Sequence, residues 1–140
     1  MISLTVPGVP QGKQRPRWSK RGTYTPKKTV IYETYIKELF VIKYPDFQPM
    51  CEPIKVLLNV YVNIPKSASN KKKLLMKNGV LCPVKRPDLD NVIKIFCDAL
   101  QSVAYMNDTQ IVEIRAIKRY SDRPRVFLRI YDRLESPDLL

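Results

Sequence analysis

Apolar and polar positions follow two periods along this chain, and together they predict its elements. Ile2 to Val6 alternates and reads as a first strand. Ile54 to Ile64 alternates more strongly. Ile54, Val56, Leu58, Val60, Val62 and Ile64 take one face, Lys55, Leu57, Asn59, Tyr61 and Asn63 the other, and Pro65 ends the run. Thr109 to Tyr120 reads as a third strand, with Val112, Ile114 and Ala116 on one side and Glu113, Arg115, Ile117 and Arg119 on the other. Val126, Leu128 and Ile130 alternate as a last strand, hairpinned to the third through the turn Asp122-Arg123-Pro124.

Helical spacing appears three times. From Pro26 to about Lys43, Tyr32, Tyr35, Ile36, Leu39 and Phe40 share a face, and Pro45 stops the helix. Lys66 to Gly79 reads as a short basic helix with Ser69 or Asn70 as its cap and Gly79 as its stop. After Pro87, the residues Leu89, Val92, Ile93, Phe96, Leu100 and Val103 define a buried stripe, with Asp88 as the N-cap. Pro7 to Pro26 is a loop and Glu135 to Leu140 a loose tail. The order is β-α-β-(α)-α-β-β. This predicts an α+β fold, a small mixed four-stranded sheet with helices packed on it, as a single domain over residues 1–140.

Composition narrows the function. A hydrophobic fraction of 44% supports a real core. No apolar run approaches the roughly 20 residues needed to span a bilayer. The start of the chain does not read as a signal peptide, so the expected location is cytoplasmic, with no membrane partner. Cys51, Cys82 and Cys97 lie far apart, which predicts free thiols in a reducing compartment. The absence of histidine removes histidine-based acid–base, nucleophile and zinc chemistry. No Gly-rich phosphate loop or dinucleotide turn is present, so no nucleotide cofactor is expected. Carboxylate and metal chemistry is what remains.

The net charge of +12 is unevenly placed. Residues 1–87 hold seventeen Lys and Arg against four acids, whereas residues 88–140 hold eight against nine. The first part is built to hold a polyanion, and nucleic acid is the favoured one. Its loop and the residues just after carry Lys13, Arg15, Arg17, Lys20, Arg21, Lys27 and Lys28, with Trp18 and Tyr24 interleaved and no acid. The basic groups can neutralise phosphates, and the aromatics can stack on unpaired bases at a branch point. The alternative is a solvated basic loop with Trp18 tucked into the core. Lys71, Lys72 and Lys73 crowd the short helix, as a DNA clamp or a solubilising surface. Arg86, just ahead of the acidic segment, joins the DNA-binding set.

Against this basic background, four of the thirteen acids fall between Asp88 and Asp108. Asp90, Lys94 and Asp98 are spaced i, i+4, i+8 and form a polar stripe on the helix. Asp88 can converge with Asp90 from the cap, and a short loop could fold Asp108 back to them. Such a cluster suits Mg²⁺, or Mn²⁺ in its place, because hard ions take carboxylate and phosphate oxygens. Lys94 could contact the scissile phosphate. The plainer reading is an Asp-capped helix with an Asp90–Lys94–Asp98 salt-bridge row.

Three segments also resemble a known family. Arg86-Pro87-Asp88-Leu89-Asp90-Asn91-Val92-Ile93-Lys94, then Asp98-Ala99-Leu100, then Asn107-Asp108-Thr109-Gln110-Ile111-Val112 are similar to the core signature of the RusA family of Holliday-junction resolvases. The likeness extends to Gly8-Val9-Pro10-Gln11-Gly12-Lys13-Gln14-Arg15-Pro16-Arg17 and to Lys118-Arg119-Tyr120. The resemblance implies a Mg²⁺-dependent, homodimeric endonuclease that cuts four-way DNA junctions in recombination and repair. It gives metal-binding catalytic roles to Asp88, Asp90 and Asp108, and a catalytic or DNA-contacting role to Lys94. Asn107 stands where the family usually carries the first of two adjacent acids. The competing functions are a non-catalytic junction-binding protein and an RNA-binding protein.

Overall fold

The computed structural model describes residues 1–134, so the expected tail from Glu135 to Leu140 lies outside the described residues. The elements are β1 (Ile2–Pro7), β2 (Arg17–Ser19), β3 (Gly22–Tyr24), α1 (Lys27–Lys43), β4 (Ile54–Asn63), α2 (Asn70–Lys77), α3 (Leu89–Leu100), β5 (Ile111–Ser121) and β6 (Arg125–Asp132), with a 3₁₀ turn at Asp108–Gln110. The α+β expectation holds, with a four-stranded mixed sheet and three helices. Among the described residues, no helix is long and apolar enough to cross a membrane.

The sheet order is β1-β6-β4-β5. β4 runs parallel to β5 and antiparallel to β6, and β6 runs antiparallel to β1. The expected β5–β6 hairpin is therefore wrong: β4 lies between the two strands. The turn Asp122-Arg123-Pro124 instead steps over the end of β4, where Asn63 pairs with Ser121 and Tyr61 with Arg125. Two strand spacings are about 9.6 Å, which three extended residues can cross. Alternation and a short link fit a hairpin and this crossing equally well.

One face of the sheet carries the core. Leu4, Val6, Val56, Leu58, Val60, Val126, Leu128 and Ile130 pack against Tyr32, Ile36 and Phe40 of α1 and Val92, Ile95, Phe96, Ala99 and Leu100 of α3. Phe96 meets Tyr32 edge-on, with centroids 5.9 Å apart, which joins the two helices. The α3 stripe is close to expectation, except that Ile95 and Ala99 are buried while Leu89, Ile93 and Val103 are only partly so. The β5 pattern departs further. Val112 and Ile114, expected to share one side with Ala116, are 56% and 45% exposed. The register jumps between Ile54/Ile111 and Lys55/Glu113, so Val112 is the extra residue of a bulge on an edge strand. Lys55 lies on the face opposite Ile54 and Val56, as expected, yet it is fully buried beside the Glu113 carboxylate at 3.7 Å, and Arg133 binds the other oxygen of Glu113.

The segment expected as a plain loop from Pro7 to Pro26 contains the β2–β3 hairpin, which the three-residue strands leave almost without pattern. Arg17 pairs with Tyr24, Trp18 with Thr23 and Ser19 with Gly22. The turn needs a glycine, because Gly22 has φ of +111°.

Candidate active site

The site begins at the entry to α3. Lys118 of β5 donates to the carbonyls of Lys85 at 2.8 Å and Pro87 at 3.0 Å, fixing the segment that delivers Asp88. Asp88 occupies the N-cap position with extended backbone, yet its side chain makes no capping hydrogen bond. Among the described residues its carboxylate accepts only from the Asn91 amide, at 3.5 Å. Asp90 lies in the first helical turn and accepts from the backbone N–H of Asn91 at 3.0 Å. Both carboxylates are exposed, and neither forms an ion pair among the described residues. Negative charge there is favourable, because the helix N-terminus carries partial positive charge.

The N-terminal loop is docked onto this helix start. The Lys13 backbone N–H donates to the Asn91 carbonyl at 2.8 Å. Loop and helix bound a cleft of about 910 Å³. Arg15, Arg17, Lys28 and Arg86 line it together with Asp88 and Asn91. Cations and one expected metal ligand thus share a concavity. Asp90, Lys94 and Asp108 are not among its lining residues.

Lys13, expected to face DNA, is turned inward. Its ammonium binds Glu33 and lies 3.2 Å from Asp98. Burial works against its charge, but the Glu33 and Asp98 carboxylates outweigh that and hold its pKa above the usual lysine value. Asp98 also lies 3.7 Å from Lys94. So the anticipated Asp90–Lys94–Asp98 row exists only in its second half, and Asp98 serves as an anchor for the loop.

Asp108 is positioned by a separate set of bonds. The buried Tyr105 hydroxyl donates to the Cys97 carbonyl of α3. The Met106 N–H donates to the Met50 carbonyl at 3.1 Å, and the Gln110 amide donates to the carbonyls of Met50 at 2.8 Å and Glu52 at 3.0 Å. Asn107 caps the 3₁₀ turn: its side-chain oxygen accepts from the Thr109 N–H at 3.0 Å and its own N–H donates to Gln110 Oε1 at 2.7 Å. Burial pushes the Cys97 thiol up to about 11. The Tyr105 hydroxyl opposes this, and the Asp98 and Asp108 carboxylates add to it. Asp108 is therefore within electrostatic reach of the middle of α3.

Asp88, Asp90 and Asp108 offer the exposed, uncommitted oxygen donors that a hard divalent cation takes. In donor chemistry they fit such an ion. Among the described residues, no three His, Cys, Asp or Glu side chains are gathered as a metal cluster, so the three aspartates do not form a closed cage.

The hairpin stands out beside the cleft. Trp18 is 84% exposed and not tucked into the core, and Tyr24 is exposed as well. Lys20 and Arg21 form the hairpin turn, where the Ser19 hydroxyl accepts from the Arg21 N–H at 3.2 Å. On α2, Ser69 caps the helix by accepting from the Lys72 N–H at 3.3 Å. Lys71 and Lys72 are exposed and Lys73 half-buried, and none of the three lines the cleft. Sequence reasoning missed Lys118 and Tyr105 as positioning residues. Lys118 had only its place in a motif as a signal, and Tyr105 had none.

A helix start whose Asp88 carboxylate shares a concavity with Arg15, Arg17, Lys28 and Arg86 defines a domain equipped to handle nucleic acid. Comparison with known proteins agrees with that class. The family model described as endodeoxyribonuclease RusA matches residues 7–131. The chain belongs to the RusA family of endodeoxyribonucleases. It is also 34% identical over 134 residues to the uncharacterized protein YqaN of Bacillus subtilis (strain 168), covering 92% of this chain and 94% of that protein.

Proposed function

We propose that this protein resolves four-way DNA junctions by paired, metal-assisted hydrolysis, as a homodimer acting in recombination and repair. The observation that carries the reading is the cleft in which Arg15, Arg17, Lys28 and Arg86 face Asp88 and Asn91. The arginines and Lys28 hold the phosphodiester backbone at the helix start. Asp88, Asp90 and Asp108 are the residues that would hold Mg²⁺, or Mn²⁺ in its place. When bound, that ion supplies charge stabilisation at the scissile phosphate and acidifies water. Lys94 contacts the phosphate from the next turn of α3 and offsets charge that builds during cleavage. Trp18 and Tyr24 stack on bases that are unpaired at the branch point. Two symmetric cuts require two copies of the site, which supports the dimer.

The test is a synthetic four-way junction incubated with the protein, with and without Mg²⁺. The reading expects binding in both conditions and paired cuts only with the ion. Binding with no cleavage under any divalent ion would favour a non-catalytic junction binder. Stronger binding to structured RNA than to the junction would favour RNA recognition.

A further inference from the structure

The sheet has a second face, turned away from α1 and α3. The pairing register puts Arg115 and Arg119 of β5 on it, across β4 from Arg129 and Arg125 of β6, which flank the same residues Leu57 and Tyr61. The Arg125 guanidinium lies 4.1 Å from the Tyr61 ring centroid, and that of Arg129 lies 5.1 Å from the Phe127 ring. All of these side chains are half-buried or exposed. None of the four arginines pairs with a carboxylate among the described residues. Their partners are neutral: Arg125 donates to the Ser121 hydroxyl at 3.1 Å and the Arg123 carbonyl at 2.9 Å, Arg119 to the Lys118 carbonyl at 2.9 Å, and Arg129 to the Tyr131 hydroxyl at 3.3 Å. Glu113, the carboxylate on this face, is already taken by Lys55 and Arg133.

We propose that this open sheet face is a second nucleic-acid-binding surface, which takes the phosphate backbone of a DNA arm while the branch point sits at the cleft. Rings and neutral acceptors fix the guanidinium planes of Arg119, Arg125 and Arg129 but leave their charge uncompensated. That is a costly arrangement for a bare surface and a good one for phosphate, which arginine binds with two parallel hydrogen bonds. A second copy of this chain is disfavoured as the occupant, because face-to-face packing would set four arginines against four, with Glu113 already held by Lys55 and Arg133. The arms of a branched substrate leave its centre in different directions, so one can cross the sheet while the cleft holds the centre. This rests on the DNA-binding reading of the cleft.

The experiment measures junction affinity by fluorescence anisotropy over a salt series, for wild type, a sheet variant (Arg115→Gln, Arg125→Gln, Arg129→Gln) and a cleft variant (Arg15→Gln, Arg17→Gln). Sedimentation and thermal melting are recorded alongside. On duplex DNA the slope of log affinity against log salt falls by about 0.9 for each phosphate that the protein no longer neutralises, so the sheet variant should give up roughly 2–3 units of slope. An unchanged slope in the sheet variant with a reduced one in the cleft variant overturns this inference and leaves the cleft reading intact. The reverse result keeps the sheet surface and removes the cleft. A sheet variant that binds with unchanged slope but turns from dimer to monomer assigns the face to a second copy, and overturns the inference. If the triple variant does not fold, exposed Arg115→Gln alone should lower the slope by about 1, and no change there overturns it equally.

Discussion

Gly12 lies against Asn91 so closely that a Cβ built on it would stand 2.8 Å from the Asn91 Cβ. This close approach, with the Lys13 N–H on the Asn91 carbonyl, seats the basic loop on the start of α3. Gly12→Ala must push the two apart. It should cost about 1–3 kcal/mol, as overpacking does, and weaken junction binding more than Gly8→Ala. Gly8 has open space around it. Although Gly8→Ala strains a backbone at φ of +100°, it leaves the cleft wall in place. Melting temperature and junction affinity of both variants check this. Equal affinities would mean that the Gly12–Asn91 approach does not shape the cleft.

Trp18 is too exposed to contribute much to the core. Trp18→Ala should leave the melting temperature nearly unchanged. It should lower junction affinity by about 1–3 kcal/mol, the usual worth of one base stacked on an aromatic side chain. Duplex DNA without a branch point should show a smaller effect. A variant that melts several degrees lower with full affinity would make the hairpin a structural element only.

The Cys97 thiol carries a pH signature. Its pKa rises from an unfolded value of 9.0 to about 11 in the fold, mainly by burial. A raised value means that the native state keeps its proton longer, so this stability is complete below pH 9 and lost as pH rises towards 11. Wild type and Cys97→Ala should therefore converge in denaturant midpoint between those limits, on top of any titration they share. A constant gap across the window would show that burial does not hold the thiol neutral.

The sequence made α3 legible because its core residues recur at helical spacing around Val92, Phe96 and Leu100, and β4 because Ile54, Val56, Leu58 and Val60 recur at every second position. It also marked Arg15, Arg17, Arg86 and Asp88 as candidates, and these do meet in one cleft. Other features depend on distant residues meeting, which local pattern does not encode. Lys13 looks like a phosphate ligand until Glu33, from α1, and Asp98, from α3, claim it. Val112 looks like core until the bulge turns it out. Lys55 looks like surface until Glu113 arrives across the strand pair. The β5–β6 crossing depends on β4 being inserted between two strands that adjoin in sequence. Asp88 was legible as a cap by position, but only the hydrogen bonds reveal that its carboxylate does not cap the helix.

Asp98 and Asp90 should part company under the same substitution. Asp98→Asn breaks the Lys13 and Lys94 pairs, so it should lower stability and loosen the loop. It should leave cleavage per bound junction close to normal. Asp90→Asn removes a charge that no cation among the described residues pairs with, so it should leave the melting temperature unchanged or slightly altered.

The most direct test measures cleavage rate and dissociation constant of Asp90→Asn and wild type on one four-way junction in Mg²⁺. The account predicts a fall in cleavage of at least about 100-fold, the scale expected when a group holding catalytic charge is removed. Binding should be retained or tighter, since one carboxylate no longer repels the phosphates. An Asp90→Asn protein that cuts at the wild-type rate would contradict it, and would leave the aspartates of α3 as a helix start with no part in catalysis.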